Sequence, residues 1–344
     1  MKKSLIALAV LAASGAAMAQ SSVTLFGIVD TAVGYVDNVN AAGDSVYGLS
    51  TSGNATSRLG FRGVEDLGGG LKAGFWLEGE VFGDNGGSSF NFARRSTVSL
   101  MGGFGEVRMG RELTPSYSKT SSYDLFGQAG IGQFMGWTGN WYGIDGDSGN
   151  ALRSSNMISY YTPNFSGFTA GLGYGFDEQT TGKAGRYIGG YAAYDNGPLS
   201  VALSYDERNV AANFDRNTFT VAGSYNMNVV KLNAIVQQTK DDRVAGDRKV
   251  NAYALGASAP VGAGEVKLQY AMYDQKAIDS KAHQLSLGYV HNLSKRTAVY
   301  GTVSYMDNKD SSKVGLSVKG LSEVKGPATG ESQTGVQVGV RHSF

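Results

Sequence analysis

The sequence predicts an all-β protein: a 16-stranded antiparallel transmembrane β-barrel with a long third connection, residues 113–152, folded into the lumen. Three observations carry that expectation. The chain ends in strict alternation, with Thr334, Val336, Val338, Val340, His342 and Phe344 on one face and Gln333, Gly335, Gln337, Gly339, Arg341 and Ser343 on the other. A strand with one apolar and one polar face suits a wall with lipid outside and water inside. Similar alternation recurs along the chain, with a turn signal about every ten residues or slightly more. No segment after Ala19 approaches the ~20 apolar residues of a membrane-spanning helix.

The amino terminus reads as an export signal. Lys2 and Lys3 form a basic start, residues 5–13 an apolar run too short to span a bilayer, and Ala17-Met18-Ala19 a small-x-small cleavage site. Residues 20–344 then form one domain, with no linker or break in composition. Export without a helical anchor leaves a soluble secreted protein or an outer-membrane barrel. The 50 glycines, 19 tyrosines and 5 prolines suit many short strands joined by turns. With 0 cysteines, neither a disulfide framework nor a thiolate metal site is available, so a closed hydrogen-bonded sheet must hold the exported chain. Removing Lys2 and Lys3 leaves 28 basic against 29 acidic side chains, a net charge of −1 that offers nothing to nucleic acid.

Strands are expected to begin near Val23, Ala55, Leu71, Phe92, Glu106, Arg153, Gly167, Arg186, Pro198, Phe214, Val229, Lys249, Gly264, Lys281, Arg296 and Gln333. The pattern is clear in several. Val266, Leu268, Tyr270 and Met272 alternate with Glu265, Lys267 and Gln269; Leu199, Val201, Leu203 and Tyr205 alternate with Ser200, Ala202 and Ser204. A wet interior tolerates the charges on the polar face, whereas a dry core rejects them. Pro115, Pro163, Pro198, Pro260 and Pro327 all fall at strand ends, turns or loops, where a missing N–H breaks no ladder. Short turns such as Asp195-Asn196-Gly197 alternate with longer polar loops at 37–54, 84–91, 241–247 and 307–332. The connection 113–152 differs from these. Tyr117, Tyr123, Phe126, Phe134, Trp137, Trp141 and Tyr142 make it too aromatic for a solvated loop, so it should pack on the barrel wall. Aromatics near strand ends, Tyr174, Phe176, Tyr205, Tyr225, Tyr273, Tyr289 and Tyr305, are expected to form interfacial girdles.

Parity identifies the charges that face the lumen. Leu59 and Phe61 share the apolar face of the second strand, which directs Arg58 and Arg62 inward. In the fourth, Val98 and Leu100 point out and Arg95 in, while Arg94 falls on the lipid parity, tolerable only near an interface. In the fifth, Val107 and Met109 point out, leaving Arg108 inside; Arg153 begins the sixth. The bland alternative is that these guanidiniums pair with Glu78, Glu80 and Glu106. As a set they make an anion-attracting wall, since arginine keeps its charge beside other cations.

The stretches Ser22-Val23-Thr24-Leu25-Phe26-Gly27, Ser57-Arg58-Leu59-Gly60-Phe61-Arg62-Gly63-Val64-Glu65-Asp66-Leu67-Gly68-Gly69-Gly70-Leu71-Lys72-Ala73, Phe104-Gly105-Glu106-Val107-Arg108-Met109-Gly110-Arg111 and the end His342-Ser343-Phe344 give the chain its likeness. Over essentially its whole mature length it resembles the general trimeric porins of Gram-negative bacteria, in the branch typical of beta-proteobacteria and Neisseria. The resemblance implies a homotrimer in the outer membrane, among its lipids and lipopolysaccharide, passing small hydrophilic solutes and inorganic ions by size-limited diffusion. It implies that the third loop narrows each barrel against a cluster of arginines, commonly with a preference for anions. By position Arg58, Arg95 and Arg153 match the constriction arginines, with Arg62 and Arg108 beside them. Glu112, Asp124, Asp145 and Asp147 are available as opposing loop acids. Of these, Asp124 in Tyr123-Asp124-Leu125-Phe126-Gly127 resembles the family's acidic-Phe-Gly segment but departs from its commoner Pro-Glu-Phe-Gly form. Phe344 is the expected signal to the outer-membrane assembly machinery, and the strand faces of the first five strands and the last are the expected trimer contact.

Other functions fit less well. Gly171, Gly173 and Gly175 are followed by no helix, which removes a nucleotide-binding turn. His283, His291 and His342 lack metal-ligand spacing, and none is placed to activate a serine, which weighs against a barrel enzyme and leaves no cofactor to expect. A substrate-specific channel would show a track of lumenal aromatics, and outside the long loop only Trp76 is a tryptophan directed inward. An adhesin would carry long outer loops throughout.

Overall fold

The computed structural model describes residues 22–87, 89–137, 152–211, 214–242 and 248–344. The expected export signal, residues 1–19, lies outside them, as do Trp141, Tyr142, Asp145 and Asp147. Seventeen strand segments form a single antiparallel sheet. They are β1 (Ser22–Val36), β2 (Val46–Thr51), β3 (Arg58–Gly68), β4 (Leu71–Glu80), β5 (Arg95–Gly102), β6 (Gly105–Leu113), β7 (Arg153–Tyr161), β8 (Phe168–Gly175) and β9 (Tyr187–Asn196). After these come β10 (Leu199–Ala211), β11 (Phe214–Asn226), β12 (Lys231–Asp241), β13 (Arg248–Val261), β14 (Gly264–Gln275), β15 (Ser280–Asn292), β16 (Thr297–Asp310) and β17 (Gln333–Ser343). Neighbours in sequence pair around the ring, and β1 returns to β17 from Ile28 opposite Ser343 to Val36 opposite Gly335.

The ring has sixteen positions because β2 and β3 share one. β1 pairs with β3 over Ser22 to Ile28 and with β2 over Thr31 to Val36. The sequence reading put 46–51 in a loop, since Gly48 and Ser50 blur its alternation. The strand forms because the upper half of β1 needs a partner for its backbone groups. The corner between β2 and β3 is organised by Asp30 of β1, which is fully buried. Its carboxylate accepts the N–H groups of Gly53 (3.2 Å), Asn54 (2.9 Å) and Ala55 (2.7 Å) and the Tyr300 hydroxyl (2.5 Å).

The two faces of the wall differ as lipid and water require. On β10, Val201, Leu203 and Tyr205 are exposed outward while Ala202 and Ser204 are buried on the inner face. Leaving such side chains in water forfeits about 1.5–3 kcal/mol each, so the outer belt calls for hydrocarbon. Tyr174, Phe176, Tyr205, Tyr225 and Tyr305 are exposed on that belt. Tyr273 departs from the girdle expected of it: it is 1% exposed on the inner face, where its hydroxyl donates to Gln284 Oε1 at 2.8 Å. It sits one residue off the outward set Tyr270 and Met272, so the pleat turns it in.

A second departure lies at residues 311–332, expected to be a polar loop. Val314, Leu316, Val318 and Leu321 are buried in it. Asn308 and Gln333 at the flanking strand ends supply the partners: Asn308 Nδ2 donates to the Val314 carbonyl (3.0 Å), and the Leu316 N–H donates to Gln333 Oε1 (2.6 Å). The apolar side chains alternate with Gly315, Ser317 and Lys319, so the segment packs like a strand without joining the sheet.

The seam of the barrel is closed by the last residue. Gly27 and Phe344 exchange both backbone hydrogen bonds, at 2.9 and 3.0 Å, and the Phe344 ring covers Gly27 so closely that a Cβ there would collide with it. Gly27→Leu is therefore expected to cost about 1–3 kcal/mol by overpacking this seam. The measurement is the temperature at which the compact barrel band gives way to the unfolded band on an SDS gel. Gly301→Ala, whose added Cβ would find its nearest neighbour at 3.9 Å, should leave that temperature unchanged.

Candidate functional site

The arginines of β3 to β7 occupy one side of the interior. Between them and the segment following β6 lies a cavity of about 1280 Å³. Arg58, Arg94, Arg111, Arg153 and Lys319 line it, and among its described lining residues Glu80 is the only carboxylate. Lys319 forms an ion pair with that Glu80. Arg94 is paired with Glu78 behind the lining, which leaves the guanidiniums of Arg58, Arg111 and Arg153 facing a water-accessible space with no unpaired acid, a positive local field.

Each cation is held differently. Arg58 opens β3, and its guanidinium has no hydrogen bond or ion pair among the described residues. Arg94 Nε donates to Glu78 Oε1 at 2.7 Å. Arg153 Nε donates to the Arg94 carbonyl at 2.9 Å, and Arg111 Nε to the Ala93 carbonyl at 2.6 Å, so backbone oxygens orient both without neutralising them. Further along the wall, Arg95 Nε donates to Thr97 Oγ1 at 3.0 Å and lies 3.7 Å from Glu112. Arg62 and Arg95 both lie over the ring of Trp76. Arg108 is fully engaged by Glu106 (2.9 Å) and Glu112 (2.6 Å), which makes it part of the wall's internal ion pairing.

The parity argument therefore directs Arg58, Arg62, Arg95 and Arg108 to the inner face as the structure does, but only Arg58 and Arg153 of the expected set touch the cavity. Arg94, Arg111 and Lys319 are the additions. Arg94 precedes the first residue of β5, so the pleat does not govern it and it turns toward Glu78 rather than lipid. Arg111 follows a register shift at Gly110, whose φ of 130° an L side chain rarely adopts, and the bulge swings it off the outward parity. The doublet Arg94-Arg95 and the Gly-Arg at the end of β6 were the available signals.

Residues 114–137 make hydrogen bonds and packing contacts with side chains of strands far along the chain. The segment opens with the short helix α1 (Pro115–Thr120), with Pro in its first turn, where a missing N–H costs nothing. Lys119 Nζ pairs with Asp195 at 2.8 Å, and the Ser116 and Tyr187 hydroxyls meet at 2.9 Å. Asn233 Nδ2 donates to the Tyr123 carbonyl (2.9 Å), Gln284 Nε2 to the Ile131 carbonyl (3.0 Å), and the Ile131 N–H donates to Gln337 Oε1 (2.9 Å). The Met135 N–H donates to the hydroxyl of the inward-turned Tyr273 at 3.0 Å. Phe134 and Tyr117 pack edge-on against Trp137, with ring centroids 5.2 and 5.4 Å apart.

Asp124 sits inside this seating. It is 4% exposed, and its carboxylate accepts the Phe126 and Gln128 N–H groups and the Gln128 and Gln269 side-chain amides, at 2.8–3.3 Å. Burial pushes its carboxyl above the ordinary value, against the pull of those donors. Among the described residues it makes no ion pair and does not line the cavity.

A closed barrel with an apolar outer belt and a cationic, polar-lined interior defines an outer-membrane channel. A sequence profile described as Gram-negative porin matches residues 5–311. The chain is 66% identical to outer membrane porin protein 32 of Delftia acidovorans over the full length of both. It is 28% identical to major outer membrane protein P.IB of Neisseria gonorrhoeae over 91% of this chain and 96% of that one. Among solved structures it resembles the anion-selective porin from Comamonas acidovorans, with a TM-score of 0.90 and 62% identity over 94% of this chain and 100% of that one. The chain belongs to the Gram-negative porin family and is an outer-membrane channel protein, not an enzyme.

Asp124→Ala removes the acceptor of the Phe126 and Gln128 N–H groups and of the Gln269 amide, while the Gln128 amide keeps the Phe134 carbonyl at 2.8 Å. The cost is about 1–3 kcal/mol for each donor left unsatisfied. The segment should then be nicked faster by protease added to the folded protein and give noisier open-channel current. Asp124→Asn, which keeps an acceptor, should fall between the two.

Proposed function

We propose that the chain is a general diffusion porin with a preference for anions, in which the segment between β6 and β7 narrows the lumen against the arginine wall. One observation carries the reading: the cavity between that segment and the wall presents five cations and one carboxylate, and that carboxylate is paired with Lys319. Small hydrophilic solutes and inorganic ions pass through it by diffusion, and negative ones are concentrated by the local potential. Arg58, Arg95 and Arg153 supply the charge preference, with Arg62 and Arg108 lining the approach. Asp124 acts at the constriction by holding the narrowing segment in place.

Three barrels assemble side by side in this reading. Their contact uses the outer faces of the first strands and the last, where Val23, Leu25, Val98, Leu100 and Val338 are exposed and need cover from lipid, lipopolysaccharide or a neighbouring copy. Residues 1–19 direct export and are removed, and the terminal Phe344 is the feature the outer-membrane assembly machinery reads.

The test is a planar bilayer under a salt gradient. Neutralising Arg58, Arg95 and Arg153 together should move the reversal potential toward cations at low salt. The difference should shrink as the screening length falls from about 10 Å at 0.1 M to about 3 Å at 1 M. An unchanged reversal potential would remove these residues from the selectivity argument, and insertion in steps other than triplets would remove the trimer.

A further inference from the structure

Trp76 is the inward-facing tryptophan of β4, and its neighbours on both adjacent strands are cations. Arg62 of β3 is its cross-strand partner, with the guanidinium carbon 5.1 Å from the indole centroid. On the other side Thr97 of β5 lies opposite it, and Arg95, two residues away on the same face, places its guanidinium 4.4 Å from the ring. Phe26 of β1 supports the indole edge-on at 5.0 Å. The indole N–H donates to Glu78 Oε2 at 3.2 Å, while the other oxygen of that carboxylate takes Arg94.

A guanidinium in a wet lumen can be held still in two ways. A carboxylate orients it but cancels its charge. An aromatic face orients it through the ring quadrupole and leaves the charge intact, with the N–H groups free to meet a passing anion. Arg95 has both kinds of neighbour within reach. Glu112 lies 3.7 Å away, a loose ion pair without a hydrogen bond, and its tight partner is Arg108 at 2.6 Å. Without the indole, Arg95 is free to close that gap and become a second tight partner of Glu112.

We propose that Trp76 is a positioning residue for charge preference: its ring face, shared with Arg62, keeps Arg95 from closing its loose contact with Glu112 into a hydrogen-bonded ion pair. The inference rests on the arginine wall being the source of anion preference, and it adds that the charge available to solutes is set by an aromatic residue that carries none.

The experiment measures the anion-to-cation permeability ratio of intact channels in planar bilayers for a set of variants. Trp76→Phe keeps a ring face and loses the N–H donor; Trp76→Gln keeps a donor for Glu78 and loses the face. The phenylalanine variant should stay close to the parent, and the glutamine variant should fall by roughly threefold, the effect of removing part of a lumenal charge. Glu112→Gln frees Arg108 in either background, so it should raise the ratio more when added to Trp76→Gln than when added to the parent, because only there does the acid also hold Arg95 tightly. Trp76→Leu serves as the second face-less variant should the glutamine chain fail to reach the folded form. An unchanged ratio in the face-less variants, or an equal fall in Trp76→Phe, overturns the role of the ring. So does a rise on Glu112→Gln that is equal in the parent and in the Trp76→Gln background. The triple arginine variant, measured alongside, separates the two ideas: if it too leaves the ratio unchanged the arginine wall fails, and if it alone lowers the ratio only the role of Trp76 fails.

Discussion

In hydrocarbon no water stands ready to pair with a stray peptide group, and each unpaired N–H or carbonyl costs several kcal/mol. A sheet can meet that condition only by closing on itself, and the features at the seam follow from it. The first strand is long enough to engage the last strand on one side and two shorter segments on the other. Where those two segments meet, the ladder is broken, and the carboxylate of Asp30 takes the N–H groups that the break exposes. At the opposite edge the final residue completes the ring with its own backbone, and Gly27 leaves room for its side chain. The corner that Asp30 stabilises also delivers Arg58 to the start of its strand, so closure and charge placement are mechanically linked.

The interior divides its labour between two walls. The side formed by β3 to β7 carries the cations, and their acids sit mostly beside them in the wall. The side formed by β10 to β17 carries amides and hydroxyls with charges among them, Arg216 paired with Asp241 at 3.0 Å and Lys267 donating to the Leu125 carbonyl at 2.9 Å. Asn233, Gln269, Gln284 and Gln337 hold the backbone and carboxylate of the inserted segment through hydrogen bonds worth about 1 kcal/mol each. An amide is suited to this because it donates and accepts without adding charge.

Sequence pattern and structure agree where the backbone is regular and part where it is not. The two-residue period sent Arg58, Arg62, Arg95 and Arg108 inward because β3, β5 and the first part of β6 are unbroken pleats. It misplaced Arg94, which stands one residue outside its strand, and it could not follow Arg111 past the bulge at Gly110. Asp124 was recognisable as a special acid within its loop, but its partners are Gln128 nearby and Gln269 far along the chain. The strand at 46–51 and the packed loop at 311–332 were hidden for a related reason: their alternation is diluted by glycine and serine, and what orders them is a neighbour distant in sequence.

The sequence by itself determined the wall: which residues face lipid, which face water, and that the ring must close, because these depend on a period of two and on the absence of any apolar helix. The tertiary structure alone reveals which cations share a space, which acids pair with them, and which distant side chains meet residues 114–137. Those outcomes turn on distances of an ångström or two between side chains drawn from strands far apart in the chain, and no local pattern encodes them.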